Sequence, residues 1–127
     1  MRVSPHPAVV RWISARPKAI LFTTTVTQAE ILLGLALMPT GKRRTELAAV
    51  AERMFERMFA ARILSFDISA ARSYSEIVAE RHRQGRPVAT TDAQIAAIAH
   101  SRAASVATRN VADFTGTGTT IVNPWEP

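Results

Sequence analysis

The sequence predicts an α/β domain: a mostly parallel sheet of about four strands with helices on both faces. Three observations carry this. Short apolar or β-branched runs recur at residues 19–26, 63–66, up to Thr108 and at 119–122, and helical periodicity fills the stretches between them. Strands separated by helices are joined by right-handed crossovers and so lie parallel. The chain has 127 residues and no cysteine. A domain near this size buries on the order of two-thirds of its unfolded surface, enough for a core without staples. The missing cysteines exclude a disulfide framework and a thiolate metal site.

Taken in order, MRVSPHP at 1–7 carries two prolines and no periodicity, which predicts an irregular lead-in. AVVRWIS at 8–14 predicts a short amphipathic helix with Val9, Trp12 and Ile13 on one face, closed by Pro17. AILFTTTV at 19–26 predicts a buried strand. In TQAEILLGLALM, Thr27 and Glu30 have the capping-box spacing. The helix that follows is apolar on nearly every side, which predicts burial. Glu30 would then enter a core, where a carboxylate must be paired or bound to metal, and Gly34 would allow close approach by another backbone. Cap and ligand both stay open for Glu30.

Met38-Pro-Thr-Gly breaks that helix. Residues 42–59 predict another, with Leu47, Val50, Met54, Met58 and Phe59 as the apolar stripe. Its start, Gly41-Lys42-Arg43-Arg44, is the densest positive cluster in the chain, a solvated helix start or a phosphate contact. After the strand at 63–66, Asp67 and Ser69 supply cap chemistry for a helix over 70–84 that buries Ala71, Tyr74, Ile77 and Val78. Gly85 stops it. It ends in a basic segment, Arg81 to Arg86, where His82 among arginines is a poor metal ligand and reads as surface.

PVATTDAQIAAIAHSRAASVATRNVADF at 87–114 predicts a buried helix with Asp92 in its first turn, a strand ending at Thr108, and a loop holding Asn110 and Asp113. Asp92 begins the stripe that continues through Ile95 and Ala96. It is either a helix cap at the positive end of the dipole or an acid serving metal or phosphate chemistry at the strand ends of an α/β sheet. A last strand covers 119–122, and the Trp125 indole of the tail is expected to pack on the sheet.

Sixteen Lys and Arg against ten Asp and Glu give a net charge of +6. Such a balance suits nucleic acid or another polyanion, but the basic residues are interleaved with acids, so charge leaves RNA contact open. The longest apolar run, at 31–38, has eight residues, far short of the roughly 18–20 that cross a bilayer. No apolar leader follows Arg2. The expectation is a soluble cytoplasmic protein without membrane contact.

The segments TTTVTQAEILLGLALMPTGKRR, ARILSFD, GRPVATTDAQIAAIAH and VATRNVADFTGTGTTIVNPWEP together resemble PIN-domain proteins of the bacterial VapC type, nearest the FitB-like branch. The resemblance runs from about residue 8 to the end of the chain, and the pairing of E-x-x-x-G with D-A-x-I-A-A and T-R-N-x-x-D-F makes it specific. It implies a PIN-like three-layer αβα sandwich and a Mg²⁺- or Mn²⁺-dependent ribonuclease, usually the toxin of a toxin–antitoxin pair. It also implies a homodimer and a cognate antitoxin whose tail lies across the acidic groove. Hard divalent ions prefer carboxylate oxygen, and two of them can activate a water and stabilise the leaving oxygen of a phosphodiester.

Carried over by motif, Glu30 and Asp92 become metal ligands, Asn110 takes the position of a fourth ligand, and Thr108 positions it or the water. Asp113 is a nearby spare acid, read as a loop or cap residue. Lys42, Arg43, Arg44, Arg86 and Arg109 are candidates for RNA contact. There is one departure: the family opens with a strand ending in Asp-Thr-Asn, whereas this sequence starts at MRVSPHPAVV and places no acid before Glu30. The expectation is therefore a single PIN-like domain over 1–127, shortened at its N-terminus. The alternative activity is that of a catalytically impaired remnant that binds RNA or an antitoxin.

Overall fold

The computed structural model describes residues 7–17 and 20–124. Helix α1 (Pro7–Ser14) leads to strand β1 (Thr23–Thr24), then α2 (Thr25–Leu37) and α3 (Lys42–Arg53), which continues into a π-helical turn at Met54–Met58. Strand β2 (Ile63–Leu64), α4 (Ile68–Arg83), α5 (Thr90–Ser101), β3 (Val106–Ala107), α6 (Val111–Phe114) and β4 (Ile121–Val122) complete the order. The α/β class and the parallel pairing hold. The hydrogen-bonded ladders join the four strands as two parallel pairs, β1 with β2 and β3 with β4. The expected lead-in at residues 1–6, the first residue of the 19–26 run and Trp125 lie outside the described residues.

The chain divides into two compact units, Met1–Leu64 and Ser65–Pro127. In the first, the β-branched run at 19–26 makes a strand of only two residues, because Thr24 is already the N-cap of α2. Its hydroxyl accepts the Thr27 amide at 3.0 Å, and the chain turns helical at Thr25. Ile20 and Phe22 are exposed rather than buried in a strand. The predicted burial of α2 fails as well. Leu35 alone is buried, while Leu32, Leu33 and Leu37 face outward, and nothing lies within 4 Å of a Cβ built on Gly34. The core of this unit gathers Leu35, Leu47, Ala51 and Phe55. The inward row of α3 is thus 47, 51, 55, at i+4 spacing, and Val50 sits outside it, 40% exposed. The π-helical turn closes where the Phe59 amide bonds the Met54 carbonyl, five residues back.

In the second unit α4 packs along α5. Ile77, Ala96, Ala97, Ala99, Val106 and Phe114 form its core. Asp67 caps α4 as expected, its carboxylate accepting the Ala70 amide at 2.9 Å. The buried row of α4 is Ala70, Ser73, Ile77 and Arg81, one step round from the predicted row, with Ala71 exposed. Gly85 does end the helix. Its φ of +67° lets the Arg86 amide return to the Arg81 carbonyl at 2.9 Å and the Gly85 amide to His82 at 3.0 Å, the Schellman pattern in which a residue with a Cβ is strained.

Candidate active site

Asp92 stands at the third position of α5, whose N-cap is Ala89 with no side-chain capping bond. Asp92 keeps its place in the first turn, at the positive end of the helix dipole, but makes no capping bond: among the described residues its carboxylate takes no hydrogen bond and no cation. Behind it Ala93, Ala96, Ala97, Ile98 and Ala99 are buried, as the apolar sequence predicts, and Asp92 itself is half-buried. Burial pushes its carboxyl above the ordinary 3.8, and the negative charge of Asp113 pushes it the same way.

Asp113 lies in the first turn of α6, a single helical turn where a loop was expected. A four-residue helix shows no period that a sequence reading can detect. Its N-cap is Asn110, which makes no side-chain capping bond, and the Asp113 amide donates to the Asn110 carbonyl at 3.1 Å. Thr108, at the end of β3, accepts the Asn110 amide on its hydroxyl at 3.0 Å. The second unit therefore brings Asp92 and Asp113 within electrostatic reach and ties Thr108 to Asn110. Asp113 makes no capping bond in α6.

Glu30 belongs to the first unit. With the N-cap at Thr24, Glu30 falls in the second turn of α2 and cannot form the capping box expected with Thr27. It is exposed, not in a core. Among the described residues no cap or cation occupies its carboxylate, and solvent exposure removes the burial that would have demanded a partner.

The basic candidates are exposed, apart from the half-buried Arg44. Lys42 pairs with Glu46 at 3.8 Å and the Arg44 guanidinium donates to the Thr40 hydroxyl at 3.4 Å. The first of these is a weak surface pair that leaves the ammonium accessible. Sequence reasoning missed Arg81. It opens the basic segment at the end of α4, yet it is 4% exposed. Its place on the row Ser73, Ile77, Arg81, at i+4 spacing, was the available signal.

Among the described residues no three of His, Cys, Asp or Glu cluster as a metal cage. Asp92 and Asp113 are the two carboxyls that influence each other, and Asn110 stands one turn before Asp113 as the N-cap of α6. Mg²⁺ is commonly held by one or two carboxylates while it keeps several waters, and a cation there would offset both causes of the raised Asp92 carboxyl, burial first and then the charge of Asp113. The residues fit such an ion.

The PIN domain model matches residues 2–115. The chain is 42% identical to the plasmid stability protein StbB of Pseudomonas syringae pv. tomato, over 98% of this chain and 90% of that protein. It is 39% identical to the VapC ribonuclease Y4jK of Sinorhizobium fredii, over 99% of this chain and 90% of that one. Its fold superimposes on the crystal structure of FitAcB from Neisseria gonorrhoeae with a TM-score of 0.86 at 31% identity, covering 99% of this chain and 91% of the other. With its E-x-x-x-G, D-A-x-I-A-A and T-R-N-x-x-D-F motifs, the chain belongs to the PIN-domain family, in its VapC and FitB branch.

Proposed function

We propose that this chain is a divalent-metal-dependent endoribonuclease and the toxin of a toxin–antitoxin pair, with Glu30, Asp92 and Asn110 as ligands of Mg²⁺ or Mn²⁺. The observation that carries the reading is Asp92: a half-buried acid that caps nothing and faces a second negative charge. Holding such a charge unpaired costs stability. A cation-binding duty explains it, and a relative named a ribonuclease supports that duty. When bound, such an ion supplies Lewis acidity and lowers the pKa of a water at neutral pH. The chain's own part is to hold the acids: α5 fixes Asp92 from behind, and Thr108 fixes the backbone of Asn110. Asp113 adds negative charge beside Asp92. Lys42, Arg43, Arg44, Arg86 and Arg109 contact the RNA backbone, which positions a substrate without selecting its sequence.

The toxin reading carries partners with it. The outward leucines of α2, 51 to 76% exposed, are unusual on a chain that works alone and support a homodimer and a cognate antitoxin. A toxin that cleaves cellular RNA would act in the cytoplasm. The reading takes residues 1–127 as one PIN-like domain.

The test is cleavage of RNA by the purified chain with Mg²⁺ or Mn²⁺. Cleavage should stop on chelation and on Asp92→Ala or Glu30→Gln; cleavage that survives both substitutions overturns the assignment. One observation favours a second reading, a binding module without hydrolysis: Asn110 offers an amide where a fourth acid would bind metal more strongly. RNA or antitoxin binding with no metal-dependent cleavage would establish it.

A further inference from the structure

We propose that Arg81 is a positioning residue for this site, a clamp that sets where α6, and with it Asn110 and Asp113, stands against α5. The inference rests on the reading of Asp92 and Asn110 as metal ligands. The Arg81 guanidinium donates from Nε to the Arg86 carbonyl at 2.7 Å and from Nη1 to the carbonyls of Asp113 at 3.3 Å and Thr115 at 2.5 Å. Its own backbone carbonyl accepts the Arg86 amide at 2.9 Å. The side chain is 4% exposed, and among the described residues no carboxylate pairs with it, the ion pairs being Lys42–Glu46, Arg83–Glu80 and Arg102–Asp67.

A full positive charge is thus buried against carbonyl dipoles alone. An apolar side chain of similar volume would fill the same space without desolvating a charge, so the residue is accounted for by what it holds. It holds the end of α6. One helical turn has no independent stability, and its last carbonyls lack partners within the helix. It is fixed by Phe114, 4% exposed in the core, by the Thr117 amide and hydroxyl on the Phe114 carbonyl, and by the Arg81 fork on the carbonyls of Asp113 and Thr115. The following loop closes over the clamp, since a Cβ built on Gly116 would stand 3.4 Å from Gln84 Oε1 and 3.8 Å from Arg81 Cδ. Lysine cannot replace it, because a compact ammonium lacks the planar fork that reaches separate acceptors at once. Loosening the clamp lets α6 drift, and the donors it carries drift with it.

The experiment is titration of the full chain with Mn²⁺ alone, free ion being followed by electron paramagnetic resonance at a temperature where every variant is folded by circular dichroism. The unaltered chain should bind Mn²⁺, and Asp92→Asn should lose that binding. Arg81→Met should weaken affinity on the order of 10-fold, the range seen when a group that orients ligands is removed. Arg81→Lys should weaken it less. Ile98→Val, a purely structural change in the core, should lower the melting temperature and leave Mn²⁺ affinity unchanged.

Unchanged affinity in both Arg81 variants overturns the clamp. So does an Ile98→Val loss as large as that of Arg81→Met, which would mean general loosening. If Arg81→Met does not fold, Arg81→Lys decides alone: a loss supports the clamp and equality overturns it. Absence of Mn²⁺ binding in the unaltered chain, or normal binding in Asp92→Asn, overturns the metal reading itself and the clamp with it, a result distinct from failure of the clamp alone.

Discussion

Helices α2 and α5 are apolar along most of their length and each carries one of the proposed acids, yet they meet opposite surroundings. In α5 five residues are buried, four of them alanine; in α2 only Leu35 is. Small side chains let α5 lie close along α4, so its apolar character is spent on the core of its own chain. In α2 the large side chains point outward, with Leu37 76% exposed, and the same character becomes surface. Apolar composition along a helix predicts that the helix will be covered. It does not say by what.

The contrast is sharpest in stability. Ile98, 1% exposed, is the largest fully buried side chain of the second unit. Ile98→Ala should cost about 2–5 kcal/mol in urea unfolding, whereas Leu33→Ala in the dilute chain should stay within about 0.5 kcal/mol. Comparable losses would show that the outer face of α2 is covered within the folded chain and would erase the difference between the helices. Next in size is Thr24→Ala, which removes the hydroxyl that receives the Thr27 amide and should cost about 1 kcal/mol. The same change at Thr27 should cost less, because Thr27 does not cap the helix.

These two expectations follow the line between what the sequence disclosed and what it withheld. Burial of α5, the Asp67 cap, the Gly85 stop and the parallel strands were legible because each rests on local chemistry or on a period. The start of α2 was not, since Thr23, Thr24, Thr25 and Thr27 offer the same hydroxyl and only the fold chooses among them. Arg81 was hidden because a charged residue is rarely buried and its acceptors lie up to 34 positions away. At the site, Asp92 could be singled out from sequence, but its freedom from capping duty could not. The link between Asp113 and Asp92 became visible only when α6 was seen to be a helix.

The smallest effects separate two acids within the second unit. Asp67 is held below its ordinary value first by the Ala70 amide, with Arg102 adding to this. Asp92 is held above it by burial and then by Asp113. A lowered carboxyl contributes stability that is complete above 3.8 and lost as the pH falls through the lower, folded value. A raised carboxyl does the reverse: its ionisation weakens the fold above the raised value, and this deficit disappears as the pH falls toward 3.8. Asp92→Asn should therefore raise the melting temperature at neutral pH and Asp67→Ala should lower it, both differences narrowing on acidification. Thermal melts across the acid range check both signs. Asp92→Asn no more stable than the parent would show that the acid is not under the repulsion described.

The proposal most open to test is that Glu30 and Asp92 are both ligands of a divalent ion. Calorimetric titration with Mn²⁺ of the parent, Glu30→Gln, Asp92→Asn and the double variant tests it most directly. Each single change should weaken or abolish the same binding event, and the double should lose little more than the worse single, the non-additivity of groups that share a ligand. Parent-like binding in Glu30→Gln, or losses that simply add, would contradict it.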